Sequence, residues 1–134
     1  MTLPAPLKPR AALALRGLNP KKRFGQNFLH DQSALELVAK AIGAGPEQPV
    51  LELGPGLGAL TLELLKTGAK VCAVEKDRDL IPILRAHFDG VSRLELHQGD
   101  ATSIDFESFV SDVGGALRVV GNLPYNVGSR IVVH

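Results

Sequence analysis

Four short stretches of the sequence place glycine, carboxylate or amide residues at the carboxyl end of a predicted strand. In chain order they are "ELGPGLG" at 52–58, Glu75, Gly99 with Asp100, and "NLPY" at 122–125. Glycine lets a backbone turn sharply and approach a ligand closely, because no Cβ intervenes. Carboxylate and amide oxygens accept hydrogen bonds from hydroxyl and amino groups. The stretches are therefore candidates for one binding site, although Asn and Pro before an aromatic residue are also typical of an ordinary turn.

The spacing of the first three stretches indicates the kind of ligand. Glu75 follows Gly54 by 21 residues, the separation at which an acid ending the next strand accepts hydrogen bonds from both hydroxyls of a ribose. Asp100, at the end of the third predicted strand, can accept a hydrogen bond from the amino group of an adenine. A glycine-rich turn by itself is equally typical of a helix start, but the ordered set predicts a pocket for an adenosine-bearing cofactor.

Two classes of cofactor fit this pocket. Gly54, Gly56 and Ala59 satisfy the nicotinamide dinucleotide pattern G-x-G-x-x-A. However, Pro55 lacks an N–H that a pyrophosphate would use, and a dinucleotide leaves the stretch 122–125 without a role. S-adenosylmethionine carries no phosphate, so the sequence favours it, and a nicotinamide-dependent oxidoreductase stays as the alternative.

Hydrophobic periodicity predicts the elements that position these residues. Helices are predicted in 31–43, 57–68 and 79–88, and strands in 49–54, 70–77, 92–100 and 116–122, with a loop or short helix at 105–110. Asp31 and Asp79 are the expected N-caps, and Gly43 and Gly68 the expected helix ends. This alternation predicts an α/β fold with a parallel doubly wound sheet, present in part. Ligands are expected at the carboxyl ends of its strands.

Composition limits the class of protein. The 134 residues are 45% hydrophobic and 22% charged, as in an ordinary folded domain, and no apolar run is long enough to span a membrane. A lone cysteine, Cys72, inside an apolar run favours the reducing cytoplasm. The four histidines show no metal-ligand spacing with Cys72 or with one another, so no metal is expected.

Charge is distributed unevenly along the chain. Residues 1–30 hold six basic and no acidic side chains, whereas residues 31–134 hold nine basic and 14 acidic ones. We expect a basic, flexible arm at 1–20 ahead of a domain at 21–134. Lys21, Lys22 and Arg23 lie next to Phe24, a combination that nucleic-acid contacts often show. A solvated tail is the equally open alternative.

Five motifs, "FGQNFLHD", "LELGPGLGALT", "VEKD", "QGDA" and "GNLPYN", occur in this order and spacing. In this combination the chain resembles the ribosomal RNA adenine dimethyltransferases, and most closely the KsgA type, which modifies the small ribosomal subunit. The resemblance runs from about Lys21 to the last residue. It implies a Rossmann-like class I S-adenosylmethionine-dependent methyltransferase of the cytoplasm, present in part. Such an enzyme transfers two methyl groups to each of two adjacent adenosines in a hairpin loop of small-subunit (16S) ribosomal RNA, a step in ribosome biogenesis.

The resemblance also implies roles for the residues at matching positions. Three residues would close over the cofactor: Gln26, Asn27 and Leu29. Two would face its methionine part: Gly54 and Gly56. The ribose would be held by Glu75 with Lys76 beside it, and the adenine by Asp100 with Ala101. The catalytic site, with Asn122 also contacting the cofactor, would consist of Asn122, Leu123, Pro124 and Tyr125, and the RNA contacts would include Lys21, Lys22 and Arg23.

The expected chemistry at 122–125 follows from the target. An adenine exocyclic amine is a poor nucleophile because its lone pair is delocalised into the ring, so acceptors that stabilise developing positive charge would favour transfer. The side-chain oxygen of Asn122 and the backbone oxygen of Leu123 could accept from the two amine hydrogens. Pro124 would stiffen the turn, and Tyr125 would stack on the base. Leu123, where DNA amino-methyltransferases usually have proline, favours RNA.

The chain does not contain the later parts of that family, which are further strands, a target-stacking aromatic residue and a small helical RNA-binding domain. We therefore expect the N-terminal part of a longer protein that does not form oligomers. The 134 residues alone are expected to bind the cofactor weakly, to aggregate through an unpaired edge of the fourth strand, and not to methylate ribosomal subunits. The alternatives are a large-subunit ribosomal RNA adenine methyltransferase, a non-catalytic RNA-binding assembly factor on the same fold, and the nicotinamide-dependent oxidoreductase.

Overall fold

Helices and strands alternate along most of the described chain. The computed structural model describes residues 2–7, 32–100, 117–125 and 128–133. Within these ranges the elements are α1 (Gln32–Ile42), β1 (Val50–Leu53), α2 (Ala59–Lys66), β2 (Val71–Glu75), α3 (Leu80–His87), β3 (Leu94–Gln98), β4 (Arg118–Tyr125) and β5 (Gly128–Val133). The three helices and the first four strands confirm the elements predicted from periodicity. The predicted loop or helix at 105–110 lies outside the described residues.

The five strands form one sheet in the order β3-β2-β1-β4-β5. The pairs β1–β2, β2–β3 and β1–β4 are parallel, and β5 runs antiparallel to β4. The order 3-2-1-4 is that of a Rossmann-like sheet, in which the first strand lies at the centre and the chain later crosses to its other side. The carboxyl ends of four parallel strands therefore meet at one rim of the sheet.

The helices pack on one face of the sheet. The main core joins Leu35, Ala39 and Ile42 of α1 to the leucines of α2 and α3 and to Val50, Val71 and Val120 of the strands. Leu94 and Leu96 of β3 pack on the same side, as their alternation with polar residues predicts. A second cluster on the opposite face contains Leu51, Cys72 and Val74, with Leu53, Leu117 and Val119 packed against it.

The helix ends differ in one respect from the prediction. α1 is followed by Gly43, whose φ of 77° lies in the left-handed region and whose N–H bonds to the Lys40 carbonyl at 3.0 Å, as expected of a helix end. Asp79 is the N-cap residue of α3, as predicted, but its side chain makes no capping hydrogen bond to the helix. The local turn is formed by Asp77 instead, whose carbonyl accepts from the N–H of Leu80 at 3.1 Å. The other predicted N-cap, Asp31, lies outside the described residues.

The end of β4 also differs from the prediction. The sequence predicts that the strand ends at about residue 122 and that 122–125 form a turn, whereas β4 continues through Tyr125. β5 pairs with it from Val120↔Val133 to Tyr125↔Gly128, so the expected unpaired edge of β4 is wrong as well. The pairing with β1 ends at Gly121, and Pro124, which has no N–H to donate, therefore interrupts no bond to β1.

A short N-terminal segment reaches the body of the fold. Leu3 and Leu7, within the described residues 2–7, pack against the main core. The expected boundary between an arm and a domain, at residue 20, lies outside the described residues and stays a prediction. Among the residues that the structure describes, no helix is both long and apolar enough to cross a membrane.

Candidate cofactor and target site

The strand ends that carry the motifs lie side by side. Gly54 extends the β1–β2 pairing, since its N–H bonds to the Val74 carbonyl at 2.8 Å. The N–H of Gly99 bonds to the Glu75 carbonyl at 2.9 Å, which continues the β2–β3 pairing. On the other side of β1, Leu53 pairs with Gly121, so the backbone of Asn122 lies next to that of Gly54. The register therefore brings the four sequence motifs to one rim.

The glycine-rich loop between β1 and α2 has a backbone that other residues adopt with difficulty. Gly54, Gly56 and Gly58 have φ values of 72°, 61° and 84°, all in the left-handed region. At Gly58 there is also no room for a side chain, because a Cβ there would lie 2.7 Å from Cε2 of Phe88. The C-terminal end of α3 thus fixes how close the loop lies to the helices.

Glu75 is the residue that connects the loop to the second strand. Its Oε1 accepts a hydrogen bond from the N–H of Gly56 at 2.9 Å, and its Oε2 accepts one from the N–H of Asp77 at 2.8 Å. Burial raises the pKa of this carboxyl, while the hydrogen bonds from Asp77 and Gly56 act in the opposite direction. Because a carboxylate offers about four lone-pair sites, two bonds leave each oxygen able to accept another donor.

Sequence reasoning missed a second carboxyl behind the loop. Glu52 on β1 is completely buried, and its Oε1 accepts a hydrogen bond from the Thr61 hydroxyl of α2. Oε2 has no hydrogen-bond partner. Burial raises the pKa of Glu52 to about 7, with the negative charge of Glu75 adding to the rise and the bond from Thr61 opposing it. The sequence did contain a signal, since Glu52 is a charged residue inside the apolar run "VLEL".

The two charged residues predicted beside the cofactor form an ion pair across the rim. Nζ of Lys76 lies 3.8 Å from Oδ2 of Asp100, with the two side chains 83% and 47% exposed. Such an exposed pair contributes little to stability. The proximity agrees with their expected positions around one adenosine, and their roles stay predictions.

Several expected site residues lie outside the described part of the chain. These are Lys21, Lys22, Arg23, Gln26, Asn27, Leu29 and Ala101. For Asn122, Leu123, Pro124 and Tyr125 the structure gives the backbone, within β4, and not the side chains. The geometry therefore brings together the glycine loop, Glu75, Lys76 and Asp100 with the backbone of 122–125.

Comparison with known proteins decides the family. The sequence pattern of the family described as "Ribosomal RNA adenine dimethylase" matches residues 17–134. The chain belongs to this family. Curated relatives are similar to this chain at high identity. The "Ribosomal RNA small subunit methyltransferase A" of Pseudomonas fluorescens is 52% identical over 114 residues, which is 85% of this chain and 42% of the relative. The protein of the same name from Marinobacter nauticus is 48% identical over 118 residues, 88% of this chain and 42% of the relative. The chain thus spans less than half the length of these adenine dimethylase relatives.

Solved structures of methyltransferases share the fold. A dimethyladenosine transferase from Plasmodium falciparum aligns with a TM-score of 0.54 and 28% identity, over 71% of this chain and 33% of that one. The 23S ribosomal RNA methyltransferase ErmE aligns with a TM-score of 0.55 and 26% identity, over 72% of this chain and 48% of that one. The described sheet and helices are accordingly part of a Rossmann-like class I methyltransferase fold, as the sequence predicted.

Proposed function

We propose that this adenine dimethylase chain binds S-adenosylmethionine at the rim formed by Gly54–Gly58, Glu75 and Asp100. We further propose that the protein transfers methyl groups from it to two adjacent adenosines of small-subunit ribosomal RNA. The observation that carries the proposal is the hydrogen bond from the N–H of Gly56 to Glu75. It joins a carboxylate to a glycine-rich loop, at the rim where the segment 122–125 begins.

The ends of β2 and β3 offer hydrogen-bond acceptors for an adenosine group. Each oxygen of Glu75 holds one backbone N–H and keeps acceptor capacity for one ribose hydroxyl. Asp100 lies one residue beyond Gly99, whose backbone is bonded to that of Glu75. Ribose and adenine can therefore be recognised by neighbouring strand ends, in the order in which the two groups are joined.

The same geometry disfavours a dinucleotide. A pyrophosphate is held by loop N–H groups that point to it, but the Gly56 N–H is bonded to Glu75 and Pro55 has none. A phosphate close to this loop would also approach the Glu75 carboxylate, and like charges at such distances repel. These contacts favour S-adenosylmethionine over the nicotinamide alternative.

When bound, the cofactor supplies an electrophilic methyl group, and the target adenine enters beside the loop. The β1–β4 register ends with Leu53 opposite Gly121, which puts the start of the segment 122–125 beside Gly54. We therefore expect acceptors on this segment to face an amine placed at the methyl group. Asn122 and the Leu123 carbonyl would then stabilise the positive charge that develops on the attacking nitrogen. A loop adenine is suited to this site because it can leave its stack at little cost.

Binding of the cofactor can be tested on the 134-residue chain by calorimetry with S-adenosylhomocysteine, a stable product analogue. Glu75→Ala should weaken binding by about 1–3 kcal/mol, the usual cost of leaving buried donors unpaired. Glu47→Ala, a change at an exposed carboxylate, is the matched control and should leave the affinity unchanged. Equal affinity of the Glu75 variant and the wild type, or binding of NAD in place of S-adenosylhomocysteine, would contradict the proposal.

Transfer requires a separate experiment, because the chain spans 42% of its Pseudomonas relative. The chain would be joined to the remaining part of that relative and incubated with labelled S-adenosylmethionine and unmethylated ribosomal subunits. We expect dimethylation of two adjacent adenosines in small-subunit RNA, located by mass mapping, and no transfer by the 134 residues alone. Methylation of large-subunit RNA would support the alternative suggested by the similarity to ErmE.

A further inference from the structure

A cysteine, a glutamate and a histidine meet on the sheet face opposite the helices. β2 and β3 pair in parallel with Cys72 opposite Glu95 and Val74 opposite His97. Side chains two residues apart on a strand lie on the same face, so Glu95 and His97 both lie beside Cys72. One ligand atom from each of the three residues lies within 4.8 Å of the others.

This cluster is separate from the cofactor rim. Leu94 and Leu96, which alternate with Glu95 and His97, pack on the main core with the helices, whereas Cys72 belongs to the second cluster. Glu75 lies opposite Gln98, so its side chain shares the helix-covered face and not the face of His97. No step proposed for methyl transfer uses any of the three residues.

The cluster combines a buried sulfur with two accessible ligands. The Cys72 side chain is 2% exposed. Those of His97 and Glu95 are 45% and 60% exposed, with Nε2 and Oε1 3.0 Å apart. An ion can therefore reach the sulfur from the solvent side by entering between the imidazole and the carboxylate. The three ligand atoms lie within 4.8 Å of one another, so side-chain rotation would have to bring them closer to share one tetrahedral ion.

We propose that Cys72, Glu95 and His97 form a binding site for Zn²⁺, with the fourth coordination position open to water. Thiolate, imidazole and carboxylate are the three ligand types that zinc uses in proteins, in tetrahedral geometry. The thiolate and imidazole select against Mg²⁺ and Ca²⁺, which prefer sites made entirely of oxygen. Because the ligands come from two adjacent strands, the bound ion would hold the outer strand β3 to β2.

Coordination by the cysteine releases its thiol proton to solvent, because the thiolate is the form that binds a metal. Glu95 lies directly opposite Cys72 on the neighbouring strand. A divalent cation between the sulfur and the carboxylate would therefore offset the negative charge of both ligands.

The site can be tested by titrating the 134-residue chain with Co²⁺, which takes the same geometry as Zn²⁺ and absorbs light. We expect a near-ultraviolet thiolate-to-cobalt band together with visible bands of tetrahedral Co²⁺, released proton, and loss of the spectrum when Zn²⁺ but not Mg²⁺ is added. His97→Ala should weaken Co²⁺ binding at least tenfold, since even groups outside the ligand set contribute about 10–100-fold to metal affinity. His87→Ala, a histidine on α3 outside the cluster, is the matched control and should bind as the wild type does.

Cys72→Ser should abolish the near-ultraviolet band. Since Cys72 is buried, this variant is accepted only if its circular dichroism matches that of the wild type. The exposed change Glu95→Gln provides a second measurement, in which Co²⁺ affinity should fall while the thiolate band persists at saturation. Absence of the band in the wild type, or affinity unchanged in both His97→Ala and Glu95→Gln, would overturn the proposal.

Discussion

Replacing Glu52 with glutamine should change how the stability of the chain depends on pH. Glu52 is completely buried, and its pKa is raised from 4.5 to about 7, mainly by burial. The folded chain therefore retains a proton that the unfolded chain loses near 4.5. A raised pKa of this kind contributes stability that is fully present below about 4.5 and is lost as the pH rises through about 7.

The size of the effect follows from the two pKa values. The pKa of Glu52 rises from 4.5 to about 7 on folding. At about 1.4 kcal/mol for each unit of pKa, this corresponds to about 3 kcal/mol of stability. Glutamine cannot ionise, and its side-chain oxygen can still accept the hydrogen bond from Thr61. The free energy of unfolding of Glu52→Gln minus that of the wild type should therefore rise by about 3 kcal/mol between about pH 4 and about pH 8.

Urea denaturation followed by circular dichroism at several pH values measures this difference. Taking the difference between variant and wild type removes the contribution of the other titrating groups. Glu47→Gln, at an exposed position, is the control and should give a difference that does not change with pH. If the Glu52→Gln difference is equally flat, the carboxyl does not carry a raised pKa and the reasoning from its burial is refuted.

Three further predictions concern the loop, the target segment and the arm. Gly58→Ala should destabilise the chain by about 1–3 kcal/mol in urea unfolding, because its Cβ would lie 2.7 Å from Phe88 at a φ of 84°. Gly45→Ala, at a position where a Cβ would meet nothing within 4 Å, should leave the stability unchanged. Equal destabilisation by both substitutions would argue against the contact with Phe88. In the chain joined to the remaining part of its Pseudomonas relative, Asn122→Ala should keep cofactor affinity within a few-fold and lower single-turnover transfer by roughly 100-fold or more. A fully active variant would contradict a catalytic role for Asn122. Neutralising residues 21–23 should weaken RNA binding and reduce the slope of its salt dependence by about 0.7–0.9 for each phosphate that is no longer neutralised; an unchanged slope in filter binding would exclude RNA contacts there.

The sequence predicts well those features that depend on neighbours along the chain. The apolar stripe of α1 and the alternation around Leu94 and Leu96 are local patterns, and both faces are buried as expected. The motifs at the ends of four parallel strands also follow from local signals, because parallel strands joined by helices share one carboxyl edge. For this reason the sequence alone suffices to place the glycine loop, Glu75 and Asp100 at one rim of the sheet.

Features that depend on pairing between distant segments could not be predicted in the same way. The sequence gives Cys72 and His97 no recognisable ligand spacing, and the cluster arises from the β2–β3 register. The continuation of β4 through 122–125 likewise depends on β5, which supplies its hydrogen bonds. Local turn preferences of Asn and Pro are weak beside a paired strand, and the turn predicted there was accordingly wrong.

The central position of β1 has a consequence for how the molecule is made. β1 pairs with β2 almost at once, but its other neighbour, β4, begins 68 positions further on, as the pair Val50↔Arg118 shows. At about 5–20 residues per second, translation takes roughly 3–14 s to cover that distance. The loop, Glu75 and Asp100 can therefore assemble on the ribosome before 122–125 has been synthesised. During that interval the bare edge of β1 is where a chaperone would bind or a wrong strand would pair.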